Sequence, residues 1–330
     1  MSAPRIGVVI VHWNSPELLD TCLSHLAAQT LQPARTVVVD NASRDFDAAA
    51  RRRAFPGVTF VMLDENLGFA GGANRGAREL GDCDWLAFLN PDAFPETGWL
   101  EALAAAALAH PGAASFASCM LKVTPADRFD GTGDVYHLSG RVWRRAEGCS
   151  VDPADAGDGE VFSACAGAGM YRRDAFESTG GFDEHFFCYL EDVDLGFRLR
   201  LAGFRCVYAP AARVRHIGSA VTGRHSDFSI YHGHRNLVWT FVRNMPAILF
   251  WPLLPGHLLL NLATIVLFTV RGRAAVIGRA KRDALRALPR VWRERGRIQR
   301  QRRTGSAAIW QALDKGRPWP RCRPGPTGKR

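Results

Sequence analysis

Ile6-Gly7-Val8-Val9-Ile10-Val11 is an unbroken apolar run rich in β-branched residues, and His12-Trp13-Asn14-Ser15-Pro16 follows it directly. The run reads as a buried strand. Ser15 is a good helix N-cap and Pro16 a good first helical residue, so a helix is expected to start there. The pattern then recurs. Thr36-Val37-Val38-Val39 ends in Asp40-Asn41-Ala42-Ser43. Val58-Thr59-Phe60-Val61-Met62-Leu63 leads into Asn66-Leu67-Gly68-Phe69-Ala70-Gly71-Gly72-Ala73-Asn74, and Trp85-Leu86-Ala87-Phe88-Leu89 into Asn90-Pro91-Asp92-Ala93. Short apolar runs alternating with helical stretches argue an α/β sheet with parallel strands. Each run ends in polar residues, and open α/β sheets bind ligands beyond the carboxyl ends of their strands.

A second cluster lies far downstream. Glu191-Asp192-Val193-Asp194 follows the aromatic stretch Phe186-Phe187-Cys188-Tyr189-Leu190 and precedes a helix-like pattern through Phe204. A group that takes a proton from a sugar hydroxyl is suited by a carboxylate in an aromatic-lined cleft, where burial raises its pKa toward working pH. The same acids also suit a helix N-terminus, where they complement the dipole.

The segments 37–43, 66–74, 88–92 and 189–195, in this order, resemble glycosyltransferase family 2, and most of all its bacterial rhamnosyltransferase-type members, over roughly residues 5–245. The resemblance implies a GT-A (Rossmann-like) nucleotide-sugar-binding fold. It also implies that Asp40 accepts a bond from the base imide N–H. Asn90-Pro91-Asp92 resembles the family's Asp-x-Asp metal motif with Asn in first place, which leaves Asp92 as the carboxylate that binds Mg²⁺ or Mn²⁺ directly. His216 matches a position where the family often completes the metal site, Gly167 one where a small-residue turn approaches the donor sugar, and Arg235 the first residue of a recurring pair that could bind diphosphate. A structural ion pair is the competing reading of Arg235. His12 is expected to offer backbone contacts at most. Asn66, Gly68 and Asn74 frame a glycine-rich loop that lets backbone approach a ligand, with Asn74 beginning a helix. Tight strand-to-helix packing explains such glycines equally well.

The charge is divided. Residues 271–330 hold 19 Lys/Arg and 3 Asp/Glu, leaving 23 and 29 for the rest of the 330-residue chain. The basic character therefore belongs to the tail. Between Arg243 and Arg271 there is no charged residue, a run long enough to cross a bilayer, which needs about 20 residues. Pro246, Pro252, Pro255, His257 and Asn261 interrupt it. One span would also place the catalytic part and the Arg-rich tail on opposite sides, against the positive-inside rule. A Pro-broken re-entrant hairpin, or helices lying in the interface, would keep both in the cytosol; a buried helical subdomain is the soluble alternative. Eight cysteines without a Cys-x-x-Cys pair argue against a zinc site and for single buried thiols in a reducing compartment. No signal-peptide pattern is read near the start.

The sequence therefore predicts a GT-A domain over residues 1–245 and a membrane-associating apolar segment with a basic tail over 246–330. The expected activity is inverting, metal-dependent glycosyl transfer. The donor is a nucleoside-diphosphate sugar, by family analogy dTDP-rhamnose, and the acceptor a lipid-linked or cell-envelope glycan. Asp192 is the expected base, with Glu191 and Asp194 positioning it or the acceptor. The expected location is the cytoplasmic face of the inner membrane, with the cytoplasm as alternative. Two other functions compete: a non-catalytic nucleotide-sugar-binding module, and a basic nucleic-acid-binding α/β protein. Against the latter, residues 1–245 lack interleaved basic and aromatic residues, so no nucleic-acid partner is expected.

Overall fold

The computed structural model describes residues 4–151, 159–218 and 226–317. Its first half alternates as the sequence predicts: β1 (Ile6–His12), α1 (Pro16–Ala27), β2 (Arg35–Asp40), α2 (Ala48–Ala54), β3 (Val58–Met62), α3 (Gly68–Glu79) and β4 (Trp85–Leu89). These strands pair in parallel in the order β3-β2-β1-β4. Every residue of β1 and β4 is buried, which is why both read as continuous apolar runs. Pro16 does open α1, but the Ser15 side chain makes no capping bond.

One local expectation changes. α3 begins at Gly68, so Asn74 sits within the helix. Gly76 has a packing role there, since a Cβ on it would lie 2.4 Å from Val9. Gly68 is required at the start of the helix: its φ is +70°, and a Cβ would lie 2.3 Å from the Phe187 carbonyl oxygen.

Beyond β4 the sheet is mixed. After β5 (Ala93–Pro95) and α4 (Trp99–Ala109) come β6 (Ala113–Lys122), β7 (Phe129–Gly131), β8 (Asp134–Tyr136), β9 (Val142–Arg144), β10 (Gly159–Val161) and β11 (Ala168–Arg172). β11 runs antiparallel between β4 and β6. α5 (Arg173–Ser178) and α6 (Glu191–Leu201) lead to β12 (Arg205–His216), which lies parallel to β6. The reversal matters for the site. β11 starts where β4 ends, and the Asn90 N–H donates to Gly167 O at 2.9 Å. The end of β12 pairs with β5, setting His216 opposite Ala93. Distant segments thus converge on the carboxyl end of β4.

Two apolar clusters cover the two faces of the sheet. A third joins Phe186, Val193, Phe197 and Leu201 to the C-terminal helices α7 (Asp227–Asn244), α8 (Ala247–Val270), α9 (Ala274–Arg286), α10 (Leu288–Arg300) and α11 (Ser306–Ala312). The 245/246 division therefore runs through a shared core. α8 is one continuous helix with Pro252 and Pro255 inside it, not the Pro-broken hairpin. Among its residues only Phe250 and His257 are fully buried, so it is not the core of a buried subdomain either. Six cysteines are free thiols, four of them buried. Cys322 lies outside the described residues.

Candidate active site

A cleft runs along the carboxyl ends of β1, β2 and β4. It holds two cavities of about 640 and 520 Å³ that share Phe69, Asn90, Arg144, Cys188, Tyr189 and His216. The larger contains Asp134, Glu191 and Asp192; the smaller contains Trp13, Asn41, Asn66, Gly68 and Asp92.

Asp192 lies in the first turn of α6. Its Oδ2 accepts from the Ala166 N–H at 3.0 Å and its Oδ1 from the Val193 N–H at 2.8 Å. Burial pushes its pKa up, while these two bonds and the Arg144 charge pull the other way. Beside it, Asp134 is pushed up to about 7 by burial and by the charge of Asp192; its Oδ2 accepts from Ser163 Oγ at 2.8 Å. Glu191 is driven well above the carboxylate range by burial and then by Asp192, and its Oε2 is buried with no hydrogen-bond partner among the described residues. A protonated Glu191 avoids the cost of a further buried charge.

Asp194 departs from its expected role. It is fully buried, accepting from Arg198 Nε at 2.8 Å and Asn244 Nδ2 at 2.7 Å, and lies 3.3 Å from Arg243 Nε. It lines neither cleft cavity. Its role is to tie α6 to α7.

The expected metal pair does converge. His216 Nε2 lies 3.2 Å from Asp92 Oδ1, and His216 Nδ1 bonds Asp130 Oδ2 at 2.8 Å. Two ligands about 2.1 Å from one ion at a right angle stand about 3 Å apart, so the first pair fits a shared cation. A carboxylate behind the other ring nitrogen is the usual support of a ligating histidine. Burial lowers the His216 pKa, but Asp130 and Asp92 outweigh it and hold it above the usual value. Burial likewise raises Asp130, yet the bond to His216 and the charge of Arg144 hold it at about 2.

Residues 7–180 match the family described as Glycosyl transferase family 2. The chain belongs to glycosyl transferase family 2. It is 31% identical over 242 residues to the N-acetylglucosaminyl-diphospho-decaprenol L-rhamnosyltransferase of Mycobacterium tuberculosis, covering 66% of this chain and 78% of that one. The mannosyltransferase PcManGT from Pyrobaculum calidifontis, solved in complex with GDP-Man and Mn²⁺, superposes with a TM-score of 0.55 at 19% identity, over 94% of this chain and 87% of that one. GalNAc-T7, solved with UDP, GalNAc and Mn²⁺, reaches 0.59 at 15% identity over 72% of this chain, which spans 47% of that one. These likenesses show the GT-A fold.

In this glycosyltransferase the other expected residues fall into two groups. Asn66, Gly68, Asn90 and Gly167 line the cleft. His12, Asp40, Asn74 and Arg235 do not. His12 and Asp40 are buried beneath it: His12 Nδ1 donates to Asp40 Oδ1 at 2.7 Å, and the Ser43 N–H donates to Asp40 Oδ2 at 3.0 Å. The Ser15 N–H donates to His12 Nε2, which places the ring proton on Nδ1. These two bonds hold Asp40 below the usual carboxylate range, although burial pushes it up. Asn74 donates to Phe182 O and Glu184 Oε1, on a separate cavity of about 670 Å³. Asp183, His185 and Glu294 come together there as possible metal ligands, but Arg243 and Arg290 already compensate both carboxylates. Arg235 donates to the carbonyls of His185 and Phe186 and stacks on Trp239, so it is a structural clamp.

Sequence reasoning missed Asp130, Asp134, Arg144 and Asn41. Arg144 reaches both cavities and pairs with Asp130. Asn41 holds the glycine-rich turn, donating to Gly68 O at 2.8 Å and accepting from the Leu67 N–H at 3.0 Å. The signal for the first three was the polar residues inside Phe129–Arg145, a stretch with no long apolar run.

Proposed function

We propose that this enzyme is an inverting, metal-dependent glycosyltransferase that moves a 6-deoxyhexose, rhamnose, from its dTDP donor to a lipid-linked glycan of the cell envelope, at the cytoplasmic face of the membrane. One observation carries the reading: Asp192, fixed by two backbone N–H groups, faces a cavity that shares Asn90, Arg144 and His216 with the cavity of Asp92. The smaller cavity takes the nucleotide and the larger the sugar and acceptor. The rhamnosyl donor and the diphospholipid acceptor rest on the similarity to the mycobacterial enzyme and, for the sugar, on analogy.

Asp192 removes the proton from the acceptor hydroxyl. The freed oxygen pair attacks the anomeric carbon from the face opposite the diphosphate, and the anomeric C–O bond breaks with its electrons leaving on the diphosphate. One displacement inverts the centre. A divalent cation, when bound by Asp92 and His216, supplies positive charge to the diphosphate. Arg144 adds a fixed cation at the junction of the cavities. Gly167 leaves room beside Asn90, since a Cβ there would stand 3.1 Å from Asn90 Nδ2. The raised pKa of Asp192 makes it a stronger base than an exposed carboxylate. Asp40 and His12 stiffen the floor under the base.

The test is transfer of labelled rhamnose from dTDP-rhamnose to an N-acetylglucosaminyl-diphospho-decaprenol acceptor in detergent, alongside thermal shifts with nucleoside diphosphates and Mn²⁺. A specific thymidine or uridine diphosphate stabilises the native state. Transfer with a second sugar nucleotide would reassign the donor. Binding with no transfer to any acceptor would favour the non-catalytic module.

A further inference from the structure

We infer that α8 is an in-plane membrane-docking helix, which neither spans nor re-enters the bilayer, and that its occupant is an anionic lipid surface. The inference deepens the membrane-facing part of the proposed function and rests on it for the acceptor alone. α8 is held along one side for its whole length. Phe250 stacks in the third core, His257 Nδ1 bonds Ser139 O at 2.8 Å, Lys281 donates to Asn261 Oδ1 at 2.5 Å, and Phe268 meets His234 at 4.9 Å. These positions share one helical face. The other face carries Ile248, Trp251, Leu258, Leu259, Leu262, Val266 and Val270, all between 55% and 82% exposed. So long an apolar stripe is unusual on a soluble surface.

The packing partners decide the orientation. α9 lies along α8 and exposes Arg279, Arg282 and Arg286. Carrying this pair through hydrocarbon would bury three arginines against one carboxylate, since Arg282 and Arg286 share Asp283 and Arg279 only stacks on Tyr231. In the interface the same arginines meet headgroups while the apolar stripe sinks into the acyl boundary. Exposed Arg271 and Arg273 close one end of α8. At the other, Trp251 and the half-exposed Trp292 flank Phe250, residues that favour the headgroup level. Segments that line the two cavities also hold this edge. Ser139, which holds His257, lies just before Val142 and Trp143 of the larger cavity. Arg273 pairs with Asp227, next to Phe228 of the smaller one. Docking would set the cleft mouth at the lipid surface.

The experiment uses the full chain with phosphatidylglycerol and phosphatidylcholine vesicles. Sedimentation should show binding to the anionic vesicles, reduced roughly tenfold or more by Leu258→Glu with Leu262→Glu, because two leucines that would enter the acyl boundary are lost. Both positions are exposed, so nucleotide thermal shifts and transfer in detergent should persist; their loss in the wild type would count against the function and leave docking standing. A Leu259→Trp variant should be quenched by lipids brominated near the headgroup more than by lipids brominated at the chain ends. Quenching strongest at the chain ends would establish a span and overturn the inference. So would no vesicle affinity, or a soluble dimer that the double substitution dissociates.

Discussion

The Asn236 side-chain amide donates to the Tyr189 carbonyl at 2.7 Å, and the same nitrogen lies 3.0 Å from the carbonyls of Phe186 and Cys188. One buried group on α7 thus gathers the loop that leads into α6. That loop holds Phe187, Tyr189 and Leu190 at φ of 65°, 69° and 66°. Left-handed non-glycine residues persist only where their surroundings fix them. Asn236→Asp keeps the shape and removes the donors. It should lower stability by about 1–3 kcal/mol and reduce transfer further than the stability loss explains. Thermal unfolding and turnover at a temperature where the variant is folded would check this. Unchanged turnover there would reduce Asn236 to a packing residue.

Asp192→Asn should retain donor binding and lower transfer by about 10²–10⁴-fold, the usual worth of a positioned base. The amide oxygen can still accept one of the two N–H bonds from Ala166 and Val193. Donor affinity by calorimetry and single-turnover transfer should be measured on the same preparation. Near-wild-type transfer would move the proton to Glu191 or Asp134.

Transfer should fall on the acid side because the base must be ionised, and burial raises the pKa of Asp192. Asp134 adds to this: burial, and then the charge of Asp192, push it up to about 7, and the repulsion between the two carboxylates acts on Asp192 as well. Asp134→Asn should therefore move the acid limb of the rate profile to lower pH. Stability should change with the opposite emphasis. A carboxyl whose folded pKa lies above its unfolded value contributes stability below the unfolded value and loses it as pH rises through the folded one. Asp134→Asn should raise the melting temperature more at pH 8 than at pH 4. An unmoved acid limb would separate Asp134 from the base.

The parallel half of the sheet was legible because β1, β2 and β4 are buried on both faces and wear continuous apolar runs. The reversal of β11 was not, since pairing between β4 and β6 is nonlocal and leaves no mark on Ala168–Arg172. The glycines of α3 mimic a loop because glycine disfavours helix; close packing of Gly76 on Val9 overrides that preference. Glu191, Asp192 and Asp194 look alike in sequence, and only the position of Arg198, Arg243 and Asn244 separates a tie from a base. Asp130 and Arg144 sit on short strands whose pattern is too brief to read. Arg235 resembled an anion ligand, but its guanidinium faces loop carbonyls.

Asp92→Ala should abolish the enhancement of nucleotide binding by Mn²⁺, and His216→Ala should weaken it. Asp130→Asn should cost about 10–100-fold in metal affinity through His216, as supporting partners of a ligating histidine do. Calorimetry with nucleoside diphosphate, with and without Mn²⁺, orders the three. A full enhancement in Asp92→Ala would place the cation elsewhere. An Asp130→Asn protein indistinguishable from wild type would limit Asp130 to pairing with Arg144.

Deleting residues 246–330 should unfold the catalytic domain and not merely free it from lipid. α7 would lose α10 as a partner: Arg295 donates to Val242 O at 2.6 Å and Gln299 to Asn244 O at 2.8 Å. Phe250, Ala284, Val291, Ile298, Ile309 and Leu313 would leave the core that also contains Val193 and Phe197 of α6. Each large apolar side chain lost from contact with that core removes on the order of 1.5–3 kcal/mol, and five of them together are comparable to the about 5–15 kcal/mol that holds a typical domain folded. Asn244, which fixes Asp194, and Asn236, which fixes the loop before Asp192, both stand on α7. The truncated chain should be insoluble or show no cooperative melt. Circular dichroism melting and nucleotide titration would check it. A truncated protein that melts cooperatively and binds nucleoside diphosphate with unchanged affinity would show that α6 and α7 hold without the helices behind them, and would restore 245/246 as a boundary between independent units.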